Sequence, residues 1–511
     1  MSATGTQATD GGGSPSVVII GTGFGGLGMG YELKRAGIES FTILEKASDV
    51  GGVWRENTYP GAACDVPSHL YSFSFEPHYP WSCRYGKQAE ILDYLRHVAR
   101  KYDLQRHIRF GCEVTAAEYD EARGLWRIRL RSGETLEANI LVSAVGQLHQ
   151  PQLPLLKGLE NFRGPAFHSA RWDHGFDFRN KRVAVIGTGP SAVQLVPELA
   201  KEVAQLDLYQ RTPGWCVPKL DRPYGRWERK LLDRVPLLHD LDRTRIFWTF
   251  EFLNSALIGK AVRGALAKAA LRLSSAVLMR LQVRDRALRT KLTPDYPMGC
   301  KRTLLSNDWL RTLALPRVEV VTGGIAEVTA DGILGEDGRL RPADAIVYGT
   351  GFASTEFLGS IEVKGRGGRS LRQSWAGGAE AYMGMAVHGF PNLFVVYGPN
   401  TNLGAGSIIY MLERQARYIA KAAALLRDRR LQSLEASAQA QSEYVEMLQR
   451  RSSQTVFEAG CHSWYLTADG RNTNNWIGYM VEYSRLARQP NLAHYHQVPA
   501  ADASAPLARA A

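Results

Sequence analysis

Two glycine-rich turns, and the residues that follow each at a fixed interval, carry the first chemistry legible in this sequence. Gly21, Gly23 and Gly26 come after the β-branched run VVII and before LGMGYELKRAG, the order strand, tight turn, helix. Glycine at these spacings permits the turn and lets a pyrophosphate approach the bare N–H groups at the helix N-terminus. A second copy, Gly187 and Gly189 with Ser191 and Ala192, follows KRVAVI and opens PSAVQLVPELAKEV, but lacks the third glycine. Counting 24 residues from the first glycine reaches Glu45 in one copy and Arg211 in the other, each at the end of the next strand-like run. A carboxylate there accepts hydrogen bonds from ribose hydroxyls and repels a 2′-phosphate, whereas a guanidinium pairs with that phosphate. Two nucleotides are therefore expected, FAD at the first turn and NADPH at the second.

The elements that must hold these turns point to an α/β chain with two Rossmann-like dinucleotide-binding domains. At 511 residues the chain is too long for one core. We expect a disordered tail over 1–15, the first part of a discontinuous FAD domain over 16–150, and a linker over 151–173. An inserted NADPH domain follows, its first part over 174–220 and its second over 296–350. Between them, residues 221–295 are rich in Ala, Leu and Arg and read as a helical insertion. The FAD domain resumes over 351–490, with an amphipathic helix at SIIYMLERQARYIAKAAALL, and a second tail covers 491–511.

Bulk properties narrow the partners. A formal charge of +12 suits phosphate-bearing ligands, and no basic patch interleaved with aromatics suggests nucleic acid. The basic insertion leaves open a peripheral membrane contact, although a solvated helical face packed on the core is the plainer reading. Six scattered cysteines, without a CxxC pair or a Cys/His cluster at metal spacing, imply a reducing, cytoplasmic setting and no structural metal. The run SVVIIGTGFGGLGMG lacks the basic flank of a signal peptide, since the first basic residue is Lys34, and no uncharged stretch reaches the ~20 residues of a membrane span. Monomer and small homo-oligomer both remain open.

Between the two turns lies FRGPAFHSARWD, which fits F-x-G-x-x-x-H-x-x-x-W-D through Phe162, Gly164, His168, Trp172 and Asp173. It closely resembles the fingerprint of type I Baeyer-Villiger monooxygenases. Flavin-containing and N-hydroxylating monooxygenases are similar but usually carry another aromatic at the Trp position. GGVWRENTYPGAACD agrees with a second family pattern through Gly52, Trp54, Tyr59, Pro60, Gly61 and Asp65, and PDYPMGCKR resembles the stretch that bears the family's active-site arginine, here Arg302. The segments around Gly146 and from Gly349 to Phe352 resemble the crossovers between the two nucleotide domains.

The resemblance implies a class of chemistry: an NADPH- and O2-dependent enzyme inserting one oxygen atom into a ketone to give an ester or lactone. The step would run through a C4a-peroxyflavin stabilised by Arg302 and its partner Asp65. Arginine suits that task because it does not lose its proton at working pH. The flavin side would include Phe24, Lys46, Val53, Trp54, Tyr71 and Val114, and the nicotinamide side Thr188, Thr212, Lys301 and Gly351. Phe162, Gly164, His168, Trp172 and Asp173 would form a hinge, or alternatively a packed connector, with His168 and Trp172 able to share a helical face. Near the C-terminus Trp464 matches the tryptophan of a mobile loop, whereas Arg471, Asn472 and Trp476 depart from the better-known cyclic-ketone pattern. A sulfide or amine monooxygenase, and a flavoprotein without oxygen chemistry, are the competing readings.

Overall fold

In the computed structural model, residues 14–259, 262–458, 460, 465–467 and 469–500 are described. Trp464 lies outside them. The chain builds two five-stranded parallel sheets, each assembled from distant segments. In the first, the strands run Leu393–Val395, Ile140–Ser143, Val17–Ile20, Phe41–Leu44 and Ile108–Arg109. In the second they run Val318–Val321, Gln205–Tyr209, Arg182–Ile186, Ala345–Tyr348 and Ala166–His168.

These strands read as near-continuous apolar runs because both faces are covered: one face of each sheet packs on helices, the other on a smaller sheet, built on Val114–Asp120 and Leu125–Leu130 in the first case and on Ile325–Thr329 and Gly332–Gly335 in the second. Ile19, Ile43, Ile140 and Val142 in the first sheet, and Val185, Leu206, Leu208 and Val347 in the second, are completely buried. At about 1.5–3 kcal/mol for each such side chain, this burial is what holds each sheet to its helices. Against the first sheet pack Phe24–Arg35 and Ile408–Asp428, which also pack on each other. The second is covered in part by Pro190–Leu199.

The glycines at the two turns are dictated by geometry. Gly21 and Gly187 have φ of +101° and +109°, and a Cβ on either would come within 2.8 Å of the Ala144 carbonyl oxygen or 2.5 Å of the Gly349 carbonyl oxygen. Each sheet thereby brings its crossover segment hard against its nucleotide turn.

Four helices, Arg226–Arg234, Pro236–Ile258, Val262–Gln282 and Arg286–Leu292, lie within the span expected to be helical. They leave Trp227, Leu237, Trp248 and Leu266 exposed. Among the described residues no helix is long and apolar enough to cross a membrane. Three features differ from the sequence reading. Within 151–173, expected as a linker, Ala166–His168 is the edge strand of the second sheet, with His168 beside Tyr348. The C-terminal tail does not begin at 491, because Tyr495–Pro499 pairs antiparallel with Leu431–Ala436, where Tyr418 and Tyr495 share a hydrogen bond of 2.7 Å. Cys64, Cys83, Cys112 and Cys216 are free thiols, but Cys300 is disulfide-bonded, a pairing that scattered cysteines gave no reason to expect.

Candidate active site

Both glycine turns open into one cavity of about 1510 Å³. Its first wall is the turn Gly21–Gly23–Phe24 with Glu45, Lys46, Gly52, Val53, Trp54, Asp65, Tyr71, Val114 and Gly146. The opposite wall is Gly187, Thr188, Gly189, Ser191, Arg211, Thr212, Lys301, Arg302 and Gly351. Two of the expected cofactor residues do not line it. Gly26 sits one turn into its helix, where a Cβ would lie 1.9 Å from the Gly21 carbonyl oxygen, and Ala192 is buried against Gly349. Both make the close helix-to-turn packing possible and leave the lining to their neighbours.

The first turn is rigidly held. Glu45 is buried at the end of its strand, and its Oε2 accepts from the Thr22 N–H at 3.0 Å and the Thr22 hydroxyl at 2.6 Å, while Oε1 accepts from the Ala47 N–H at 2.9 Å. Of about four acceptor positions on a carboxylate, three are used, so about one is left for a ribose hydroxyl. The helix that follows has no side-chain cap on its N-terminal N–H groups, which therefore face the cavity as an anion site. Trp54 donates its indole N–H to the Tyr71 hydroxyl at 3.0 Å, and the two rings meet edge to face at 5.7 Å. Burial pushes the Tyr71 phenol well above its ordinary pKa, so it stays protonated.

On the other side the helix Pro190–Leu199 is likewise uncapped and starts with Pro190 after Gly189. Arg211 and Lys301 come together because the short strand Cys216–Val217 pairs in parallel with Leu304–Leu305, and the Leu304 N–H donates to the Trp215 carbonyl at 2.7 Å. Lys301 Nζ stands 4.9 Å over the Tyr296 ring. Burial and then the neighbouring Arg211 lower its pKa, opposed by Asp295.

The two walls meet at Asp65. Its Oδ2 lies 4.0 Å from Arg302 Nη2 and its Oδ1 lies 3.8 Å from Lys219 Nζ. Both separations exceed a direct hydrogen bond, so one carboxylate is shared loosely by two cations and the cluster carries a surplus positive charge. Burial works against the Arg302 guanidinium, yet Tyr465, Asp65, Tyr397 and Cys64 outweigh it and hold its pKa above the ordinary arginine value. Burial pushes the Cys64 thiol up to about 12, so it is a thiol at neutral pH and not a nucleophile. Lys219, with only 8% of its side chain accessible, also stands 5.1 Å over the Tyr85 ring.

Gln194 locks this junction. From the helix after the second turn it accepts from the Tyr59 hydroxyl at 2.9 Å, donates to the Ala63 carbonyl at 2.8 Å, and reaches Asp65 Oδ1 at 3.4 Å. Gly61 is required beside it, since a Cβ would lie 2.5 Å from the Gln194 carbonyl oxygen. Lys219, Gln194, Tyr397 and Tyr465 were not singled out in the sequence. Nothing in their local spacing marks them, because each reaches the cavity through long-range packing.

Phe162, Gly164, His168, Trp172 and Asp173 stand outside the cavity, although Arg171 among them lines it. His168 is buried at the end of its strand, its Nδ1 accepts from the Ala170 N–H at 3.1 Å, and its ring meets Phe352 edge-on at 5.3 Å. Burial lowers its pKa, so the ring is neutral at pH 7. Trp172 stacks on Phe178 at 5.2 Å and meets Phe167 edge-on at 5.4 Å. A 3-10 turn, Ser169–Arg171, separates the two, so His168 and Trp172 do not share a helical face. Phe162 packs under the second sheet, a Cβ on Gly164 would lie 2.4 Å from the Asp344 carbonyl oxygen, and Asp173 accepts from the Gly175 N–H at 2.8 Å. The connector thus ties the edge strand to the crossover at Gly351 and Phe352.

Comparison with known proteins agrees with this architecture. Residues 18–224 match the family model for pyridine nucleotide-disulphide oxidoreductases. A Baeyer-Villiger monooxygenase of Pseudomonas aeruginosa is 45% identical over 482 residues, covering 94% of this chain and 91% of its own. Among solved structures, an oxidised steroid monooxygenase bound to NADP superposes with a TM-score of 0.84 at 31% identity, over 95% of this chain and all of that one. An OTEMO complex with FAD and NADP gives 0.84 at 28% identity, with the same coverage of both chains. With a relative this similar over nearly its whole length, the chain belongs to the Baeyer-Villiger monooxygenase family.

Proposed function

We propose that this protein is an NADPH- and O2-dependent monooxygenase in which Arg302 and Asp65 serve the insertion of one oxygen atom into a ketone, giving an ester or lactone. The observation that carries this reading is the surplus cation at Asp65, at the junction where the flavin-side and nicotinamide-side walls meet. The residues fit both nucleotides. The uncapped helix after Gly23, with the last acceptor position on Glu45, suits FAD, while the uncapped helix after Gly189, with Arg211 and Lys301, suits the 2′-phosphate of NADPH. Bound FAD would supply hydride acceptance from NADPH and reduction of O2.

The chain's own groups have separate tasks in this scheme. Arg302 holds fixed positive charge where negative oxygen develops, Asp65 and Lys219 orient it, and Gln194 keeps the two walls in register. The cavity wall formed by Ile246, Phe250, Leu253 and Leu257 of the helical insertion is apolar and suits the carbon skeleton of a ketone while excluding water. A heteroatom monooxygenase reading is weaker, because attack by a neutral peroxide on sulfur or nitrogen does not call for such a surplus of positive charge. The test is an assay of NADPH consumption with a panel of ketones and sulfides. Ester or lactone should form in proportion to NADPH with at least one ketone class; coupled turnover of sulfides alone would sink the reading.

Lys301 gives this scheme a pH signature. Its lowered pKa means that, as pH rises, the charge is lost earlier than on an ordinary lysine. Affinity for the 2′-phosphate is complete below that pKa and falls above it. As pH rises, the KM for NADPH should therefore climb in the wild type before an ordinary lysine would lose its charge, but stay level over that range in Lys301→Arg, whose guanidinium remains charged. Superimposable profiles would remove Lys301 from the phosphate site.

A further inference from the structure

A cluster of imidazoles and carboxylates lies outside the cavity, where the first turn of the insertion helix Pro236–Ile258 meets the segment His69–His78. His239 is 97% buried by side-chain packing, with 3% of its surface accessible, and neither ring nitrogen has a hydrogen-bond partner. Leaving both nitrogens of a buried imidazole without a partner is costly. Its surroundings offer a remedy. His78 Nε2 is 3.1 Å from Asp240 Oδ1, Asp240 Oδ1 is 4.0 Å from His239 Nδ1, and the donor atoms of all three residues lie within 4.8 Å of one another.

From this convergence we infer that His78, His239 and Asp240 form a binding site for a divalent transition-metal ion of the zinc class, with a fourth position open to water. Two imidazoles and a carboxylate are a donor set that Zn²⁺ accepts, and at its usual bond lengths of about 2.0–2.1 Å tetrahedral donors stand ~3.3 Å apart. The separations here need to close by up to about 1.5 Å, which the half-exposed side chains of His78 and Asp240 can supply; their accessibilities are 46% and 53%. The same exposure gives the ion a way in.

The support behind the site is already built. The His239 ring packs at 4.0 Å from that of His69, which is fixed by a 2.9 Å contact from its Nδ1 to Asp242 Oδ2. Arg243 ties the same helix to the His69 carbonyl at 2.6 Å. An ion here would clamp the helix that carries the apolar cavity wall onto the flavin-side segment, far along the chain.

The test uses the full chain with its flavin and without a histidine tag, titrated with Zn²⁺ alone. Wild type should take up one more equivalent of Zn²⁺ than either His78→Ala or Asp240→Asn, with affinity at that site at least 30-fold tighter than in either variant. Both substitutions fall on half-exposed side chains, so folding is preserved, and His239→Gln serves as a third variant. Co²⁺ in place of Zn²⁺ should give visible ligand-field bands in wild type that both exposed-site variants lose, and Zn²⁺ should slow amide exchange over residues 236–245. Equal Zn²⁺ uptake and affinity in wild type and both exposed-site variants, or no uptake by wild type at tens of micromolar Zn²⁺, would overturn the site.

Discussion

Replacing Arg302 with Ala is expected to leave NADPH oxidation running while cutting ester formation about 10²–10³-fold, the usual loss when one preorganised donor to a developing oxyanion is removed. The electrons would go instead to hydrogen peroxide. The physical ground is the charge count at Asp65: Arg302 and Lys219 approach one carboxylate at 4.0 and 3.8 Å, and neither pair is closed. Taking Arg302 away leaves Lys219 to pair with Asp65 and cancels the surplus. Hydride transfer needs only the nucleotide turns and is spared. Measuring NADPH, peroxide and ester in one reaction mixture gives the partition directly. Arg302→Lys should fall between the two, since it keeps the charge and loses the planar fork. Ester formation by Arg302→Ala within a few-fold of wild type would mean that the guanidinium has no part in the oxygenation step.

The second large effect is expected at Arg211. A charge-assisted hydrogen bond contributes about 1.5–3 kcal/mol, so Arg211→Ala should raise the KM for NADPH roughly 10- to 150-fold. With NADH, which lacks the 2′-phosphate, the change should be small. Arg211 is exposed at the cavity rim, so the lower half of that range applies at physiological salt, which screens an exposed charge more than low salt does. Steady-state kinetics with both nucleotides at two salt concentrations decide the matter. Equal effects on NADPH and NADH would show that Arg211 shapes the fold of the turn and does not read the phosphate.

The parts of the fold that could be read from the sequence are those with a local signal. The βαβ openings announce themselves through apolar runs ending in glycine, and Glu45 and Arg211 follow because a helix and a strand of ordinary length separate the first glycine from the tip of the next strand. Asp65 and Arg302 were legible only through resemblance, since nothing local says that a loop at 59–65 and one at 297–302 converge. The long-range contacts that complete the site were not legible at all. Lys219 sits in CVPKLDRP as an ordinary lysine, and only the pairing of Cys216–Val217 with Leu304–Leu305 brings its segment to Asp65.

Two misreadings have physical causes. His168 and Trp172, four apart, suggested a helical face, but Ala166–His168 satisfies its backbone by joining the exposed edge of the second sheet, which overrides the local spacing. The C-terminal strand Tyr495–Pro499 was missed because its flanks are polar and alanine-rich; pairing with Leu431–Ala436 and the buried Tyr495 fix it. The expectation of no structural metal rested on spacing along the chain; only the site inferred at His78, His239 and Asp240 stands against it, and spacing is blind to His78 and Asp240 meeting across 162 positions.

Above all, this cavity is expected to transfer one atom of molecular oxygen to a ketone at the expense of NADPH. The direct test is turnover of an unlabelled ketone under ¹⁸O₂ in ordinary water, with mass spectrometry of the product and a parallel count of NADPH consumed. We expect one ¹⁸O atom in the ester or lactone, at the newly inserted position, for each NADPH used in coupled turnover. Ketone recovered unchanged across the panel while all oxygen ends as peroxide, or product whose new oxygen carries no label, would contradict it.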